Sequence, residues 1–179
     1  MDYGNTITKD TLRGILQLLR DAPANDAVRA KINSLLAART IQPIPYTYSV
    51  LFRAAAGGNS IAAGVIAQAS LNIQADADFL ILNHTYDANT ANAARTSGTY
   101  VVPNANVLLT DTGSGYQMMD QAVPVPALFG NGQFPYVLPN PKLMPAKATL
   151  QVQITNYDAA AGINIQLCFN GVKLFAYNG

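Results

Sequence analysis

The spacing of hydrophobic residues changes its period near residue 42. Before that point apolar residues recur every three or four positions in two runs, the pattern of two amphipathic helices. Pro23 falls in the first turn of the second run, and Pro43 and Pro45 follow that run, where a helix must end. We therefore predict a helical hairpin over residues 1–42. Its apolar faces are Leu12, Ile15, Leu16 and Leu19 in the first helix and Val28, Ile32, Leu35 and Leu36 in the second.

The remainder of the chain, residues 43–179, has the period of two that is typical of β-strands. Runs rich in β-branched, aromatic and small apolar residues predict strands at 46–54, 61–73 (with a break at Gly64), 78–86, 107–109 and 116–125. The glycine-rich stretches 55–59 and 111–115 predict turns between them.

The last third of the chain has the most regular alternation. Residues 148–155 and 163–169 place apolar side chains on one face and Thr, Asn, Gln or Cys on the other. Asn170-Gly171 then has the residue types of a type I′ hairpin turn, so we predict a return strand over 172–177. Together these short strands predict a mainly β protein, an antiparallel β-sandwich of jelly-roll type preceded by the helical hairpin.

A proline-rich arm spans residues 124–145 and contains six of the ten prolines. Because proline cannot donate a ladder hydrogen bond, the arm cannot be a central strand. Its apolar residues would leave a large patch in water unless they lie across the sandwich or against a neighbouring subunit. We therefore predict that the arm and the helical hairpin are interfaces. The arm residues are Leu128, Phe129, Phe134, Tyr136, Leu138, Leu143 and Met144, and the hairpin residues are Leu12, Ile15, Leu16, Leu19, Val28, Ile32 and Leu35.

The composition narrows the possible functions. Only 12% of the residues are charged, glutamate is absent, and the net charge is +1, whereas an ordinary domain has about 25% charged residues. Such a surface argues against a nucleic-acid groove and favours dense association. No apolar run is long enough for a membrane span, and residues 1–10 lack the pattern of a signal peptide.

Few residues have types suited to chemistry. His84 is the single histidine and is predicted to share a strand face with Leu80, Leu82 and Tyr86, which favours a structural role over a base or metal ligand. Cys168 is the single cysteine, and we interpret it as a small, partly buried residue.

Two further motifs favour turns rather than sites. Asp76 and Asp78 form a D-x-D pair that offers too few oxygens for calcium, and we interpret it as a turn cap. Residues 113–115 read Gly-Ser-Gly without the rest of a phosphate loop or nucleophile elbow. The sequence thus predicts no catalytic residue, no metal site and no cofactor. The basic residues of the predicted hairpin are interpreted as a solvated helix face; they are Lys9, Arg13, Arg20, Arg29, Lys31 and Arg39.

The segment from Asp111 onwards resembles small structural proteins of tailed bacteriophages. The resemblance rests on a turn after an aspartate, a "VP" strand, L-F-G followed by Gly and Pro, P-x-x-x-P before an alternating strand that ends in Asn, and a final N-G-x-K-L-F. It extends over residues 105–176, is weaker over 46–100, and does not include 1–42.

The resemblance implies a virion protein of the capsid surface or the head–tail neck, such as a decoration, collar or connector subunit, and no catalytic residues. We therefore expect a non-enzymatic homo-oligomer, located in the virion, that docks onto capsid, portal or tail components. Two alternatives remain open at this point. One is a carbohydrate- or receptor-binding jelly-roll module of a virion, for which the nine tyrosines are suited although Trp is absent. The other is a small hydrolase, which the lack of Glu and of a second His disfavours.

Overall fold

A computed structural model describes residues 30, 41–52, 60–91, 98, 100–113 and 115–176. The predicted helical hairpin of residues 1–42 lies outside these ranges, apart from residue 30 and the last two residues. The described elements are β1 (Ile41–Phe52), β2 (Ile66–Asn72), β3 (Asp78–Thr90), β4 (Ala105–Asp111), β5 (Tyr116–Gln117), β6 (Val123–Pro124), the helical turn α1 (Val125–Leu128), β7 (Tyr136–Met144), β8 (Thr149–Asn156) and β9 (Ile163–Ala176).

The strands form two antiparallel sheets. Sheet A has the order β1-β9-β3-β7, and sheet B has the order β2-β8-β4-β5, with β6 also paired to β4. Strands that follow one another in the chain mostly belong to different sheets, so strands that are hydrogen-bonded to each other are distant in sequence. The prediction of a mainly β protein built from antiparallel strands is confirmed for the described residues.

A single hydrophobic core lies between the sheets. Phe79 and Phe169 reach it from sheet A, while Val107, Val152 and Ile154 reach it from sheet B. In β8 the buried residues alternate strictly with half-exposed ones, as the sequence pattern predicts. This shared core is consistent with a β-sandwich.

Strand β1 begins earlier than its sequence suggests. It starts at Ile41 and runs through Pro43 and Pro45, so the last two residues of the predicted hairpin belong to the sheet. Proline is tolerated because β1 is an edge strand that pairs with β9 alone.

The predicted hairpin at Asn170-Gly171 is wrong. Strand β9 continues through both residues, and it pairs with β1 on one side and β3 on the other. The cause lies in β3, whose register shifts at Leu82 opposite this point. A Cβ atom on residue 171 would lie 1.9 Å from the carbonyl oxygen of Leu80, so glycine serves here for close backbone approach instead of a turn.

Asn170 connects three adjacent strands of sheet A at the same point. Its Nδ2 donates to Asn83 Oδ1 at 2.9 Å in β3, and its Oδ1 accepts from Thr47 Oγ1 at 2.8 Å in β1. Asn170-Gly171 therefore lies where polar side chains connect β1, β9 and β3, next to the register shift of β3.

The strand predicted at 116–125 is interrupted. It forms the two-residue strands β5 and β6, and the chain then enters α1 at Val125. The turn predicted before it is present, because Asp111 Oδ1 accepts a hydrogen bond from the Gly113 amide at 3.0 Å.

Candidate interaction surfaces

The proline-rich segment is largely built into its own protomer. Residues 136–144 form β7, which pairs with β3 as the edge strand of sheet A. The paired stretches of β7 flank Leu138, Pro139, Asn140 and Pro141, which have no partner in the register with β3. The two prolines are thus accommodated where no ladder bond is required.

Two predicted arm contacts prove to be core residues. Phe129 and Met144 are both 0% exposed and belong to the hydrophobic core between the sheets. A partner cannot reach them, so their assignment as interface residues is corrected. Their burial follows from α1 and β7, which turn these side chains inward toward β3.

The other arm residues are more accessible. Leu128 and Leu138 are half-buried and pack against the core, and Tyr136 and Leu143 are half-buried in or beside β7. Phe134 is 76% exposed. Only this last residue has the exposure that a docking aromatic side chain needs.

A well-defined turn holds Phe134 at the surface. Asn131 Oδ1 accepts hydrogen bonds from the amides of Gln133, at 3.0 Å, and Phe134, at 2.7 Å. Gly130 precedes the turn, where an added Cβ would lie 1.9 Å from the Phe134 carbonyl oxygen. The exposed ring is therefore presented by an ordered loop and not by an extended arm.

Further exposed apolar residues lie at the end of the sandwich where β3 ends and β4 begins. We call them the loop-end residues: Val65, Ile66, Tyr100, Val102 and Tyr157. Asn156 joins two of the segments at this end, since its buried Nδ2 donates to the carbonyls of Ile61 and Ala62 before β2 and of Ala161 before β9. Sequence reasoning missed these residues because alternation does not show which apolar loop residues stay exposed.

The outer face of sheet B is polar and nearly free of charge. Gln68 Nε2 donates to Gln153 Oε1 at 2.8 Å, and Gln151 Nε2 donates to Gln68 Oε1 at 3.2 Å. Thr149 Oγ1 donates to Asn72 Oδ1 at 2.9 Å on the same two strands. Such a row of amides and hydroxyls suits neutral, polar or self-complementary partners.

His84 lies in an aromatic environment inside the core. Its ring stacks on Phe129 with centroids 4.7 Å apart and meets Phe169 edge-on at 5.0 Å. Neither ring nitrogen has a hydrogen-bonding partner among the described residues. Burial lowers the pKa of His84 to about 4. The ring is therefore neutral near pH 7, in a position suited to packing.

The strand face predicted for His84 needs a correction. The register shift at Leu82 changes which residues of β3 face the core. Before Leu82 the odd-numbered residues Phe79 and Ile81 face it, and after Leu82 the even-numbered residue Tyr86 does. Leu80 therefore lies on the face opposite His84, while Tyr86 shares its face as expected.

Lys173, near the carboxyl end of β9, makes several polar contacts with neighbouring residues. Its side chain is 3% exposed, and Nζ contacts Asp76 Oδ1 and Oδ2 at 3.1 and 3.0 Å as well as Gln74 Oε1. The same Nζ lies 4.2 Å from the centroid of the Tyr46 ring. Asp78 acts separately and accepts the Ala146 amide at 2.9 Å, which is a capping role. The D-x-D pair is therefore divided between two structural contacts.

Cys168 is half-buried and unpaired, in agreement with its interpretation as a packing residue. Burial raises the pKa of its thiol, and the charge of Asp87 adds to this, while the Thr85 hydroxyl partly offsets it. A raised thiol pKa disfavours a nucleophilic thiolate.

The remaining predicted residues lie outside the described ranges. They are the hairpin positions Leu12, Ile15, Leu16, Leu19, Val28, Ile32 and Leu35 and the basic residues of the same segment. Within the described ranges, no group of three or more His, Cys or Asp side chains is placed to hold a metal ion. No helix in those ranges has the length and apolar character that crossing a lipid bilayer requires.

Comparisons with protein-family models, with curated proteins and with solved structures found no match.

Proposed function

We propose that the protein is a non-enzymatic structural subunit of a viral particle, of the phage neck or collar or of the capsid surface, that self-associates and docks onto other virion proteins. The observation that carries this proposal is the strand order of the two sheets. The orders β1-β9-β3-β7 and β2-β8-β4-β5 are compatible with a double-sheet jelly roll, a fold used by viral capsid domains and by lectins.

The surface of the sandwich supports an assembly role. Several large apolar side chains remain exposed on ordered loops, among them Phe134, Val102 and Tyr157. Exposed apolar residues that cluster, as the loop-end residues do, mark contact surfaces. Residues 60–75 contain no charged side chain, so their exposed part has no charge repulsion to overcome on association.

Immunogold labelling tests the proposal. Antibody against the chain is applied to purified particles of the virus that encodes it, and the particles are imaged by electron microscopy. We expect label on every particle, at a single vertex for a neck subunit or across the shell for a decoration protein. Particles free of the chain in both labelling and peptide mass spectrometry would overturn the proposal.

A carbohydrate-binding module is the second candidate function. The amide and hydroxyl row on sheet B, which includes Gln68, Gln153 and Thr149, offers the hydrogen-bonding groups that sugar hydroxyls use. A glycan array with the full chain decides this point. Binding to a defined glycan that is lost in Gln153→Ala would favour it, and an array without binding would exclude it as the main role.

A further inference from the structure

The four edges of the two sheets differ in how they are protected. An open edge carries unpaired N–H and C=O groups and invites another strand, so natural proteins protect edges with proline, charge, bulges or short strands. In sheet A, β1 contains Pro43 and Pro45, and β7 contains Pro139 and Pro141. In sheet B, the β5 and β6 edge consists of two-residue strands.

Strand β2 lacks each of these protections. Its seven residues, Ile66–Asn72, include neither a proline nor a charged residue. They pair with β8 in seven consecutive steps without a register shift. Its opposite side has no strand partner among the described residues.

We propose that a second copy of this chain pairs with β2 in an antiparallel fashion across a two-fold axis, which makes sheet B continuous between two protomers. This inference rests on the proposed function, because it names the edge through which self-association takes place.

The sequence of β2 suits pairing with itself. A two-fold axis at Ala69 uses all seven residues and places Gln68 opposite Ser70 of the second copy. The same register sets Ile66 opposite Asn72 and Ala67 opposite Leu71. No like charges meet, and polar residues stay on the outer face, because directly opposed residues of antiparallel strands share a face. An isologous contact of this kind satisfies the same backbone groups on both copies.

Neighbouring apolar residues favour a second copy as the occupant. Ile66 is 57% exposed at the start of the strand, and Val65 beside it is also exposed. Ala67 and Ala69 are only partly buried at the edge. Residues 60–75, which include β2, carry no charge that could pair with a charged partner segment.

Register-specific cross-linking tests the pairing. In a Cys168→Ser background, Gln68→Cys and Ser70→Cys proteins are made separately, mixed, and treated with a short thiol cross-linker. The mixture should give a covalent dimer, whereas each protein alone should give little, because residue 68 faces residue 70 of the other copy. Gln117→Cys, on the opposite edge of sheet B, is the matched control and should stay uncrosslinked. A mixture that does not cross-link would overturn the pairing.

A charge variant separates this inference from the proposed function. The double variant Gln68→Lys with Ser70→Lys sets lysines directly opposite each other, so self-association should weaken roughly 10-fold or more. Gln117→Lys should leave it unchanged, and circular dichroism checks that both variants fold. A wild-type oligomer that the double variant leaves intact would refute the β2 contact but not the structural role. A wild-type protein that is monomeric at every concentration would refute both.

Discussion

The two sheets of the protein differ in strand length and in how they bury side chains. Sheet B has short strands with aliphatic residues inside and neutral polar residues outside, as β8 illustrates. Sheet A has strands of up to 14 residues, an aromatic interior and buried residues on both faces. Leu80 and Val172, each 1% exposed, lie opposite each other on the outer face of sheet A.

This difference determines where the molecule tolerates change. Sheet A contains the register shift at Leu82, the buried His84 and the anchored Lys173, so local changes there disturb several contacts at once. Sheet B has a solvated outer face, and its β2 edge has no strand partner among the described residues, so changes there should alter association more than folding.

The largest effect is expected from Gly171→Ala at the centre of sheet A. The added Cβ would meet the Leu80 carbonyl oxygen at 1.9 Å, and its next nearest atoms are also backbone atoms of Leu80 and Ile81, which have little room to adjust. We expect a loss of more than about 3 kcal/mol in the free energy of unfolding, measured with urea. Gly132→Ala, where nothing lies within 4 Å of the added atom, is the matched control and should be nearly neutral. Equal stability of the two variants would show that the close approach at Gly171 is not tight.

The free energy of unfolding should depend on pH through sheet A, because the buried His84 lies in that sheet. The pKa of His84 is about 4 in the folded protein and 6.5 when unperturbed, so the unfolded chain binds the proton more readily. Stability should therefore fall as the pH drops from 6.5 to 4, by about 3 kcal/mol in all. His84→Phe should lack this component when urea midpoints are compared across the range. Parallel pH profiles for wild type and His84→Phe would contradict the buried neutral ring.

The Lys173 anchor should contribute less. Asp76→Asn leaves the buried ammonium of Lys173 without its carboxylate, although Asp76 is itself about half exposed. We expect a loss of about 2 kcal/mol, measured by urea unfolding. Asp120→Asn, at an exposed position away from this contact, serves as the control. A variant as stable as the control would mean that Gln74 and Tyr46 hold the lysine without Asp76.

The smallest effect is expected on the outer face of sheet B. Gln153→Ala removes one hydrogen bond between exposed amides, to Gln68. The free energy of unfolding should change by no more than about 0.5 kcal/mol, since both groups can bond to water. A loss above 2 kcal/mol would show that this row is a structural element and not a free surface.

The same contrast explains which features could be predicted from sequence. The alternation in 148–155 predicts β8 well because sheet B has one buried face and one wet face. In sheet A both faces bury side chains near Leu80, so alternation is lost. The function of Gly171 depends on a strand 90 residues away, and local turn preferences cannot contain that information.

The exposure of the candidate contact residues also could not be predicted from the sequence. The proline content of 124–145 indicates an edge position, and β7 is an edge strand. Whether its apolar residues face the core or the solvent depends on α1 and the Asn131 turn. The sequence therefore does not distinguish the buried Phe129 from the exposed Phe134, although both are phenylalanines in the same segment.

Sedimentation equilibrium of the purified full chain, over a wide range of concentrations, tests most directly whether the protein buries its uncharged surfaces against copies of itself. We expect a discrete species at an even multiple of the 19.0 kDa chain mass, in reversible equilibrium with smaller forms on dilution. A single 19.0 kDa species at every concentration would contradict it.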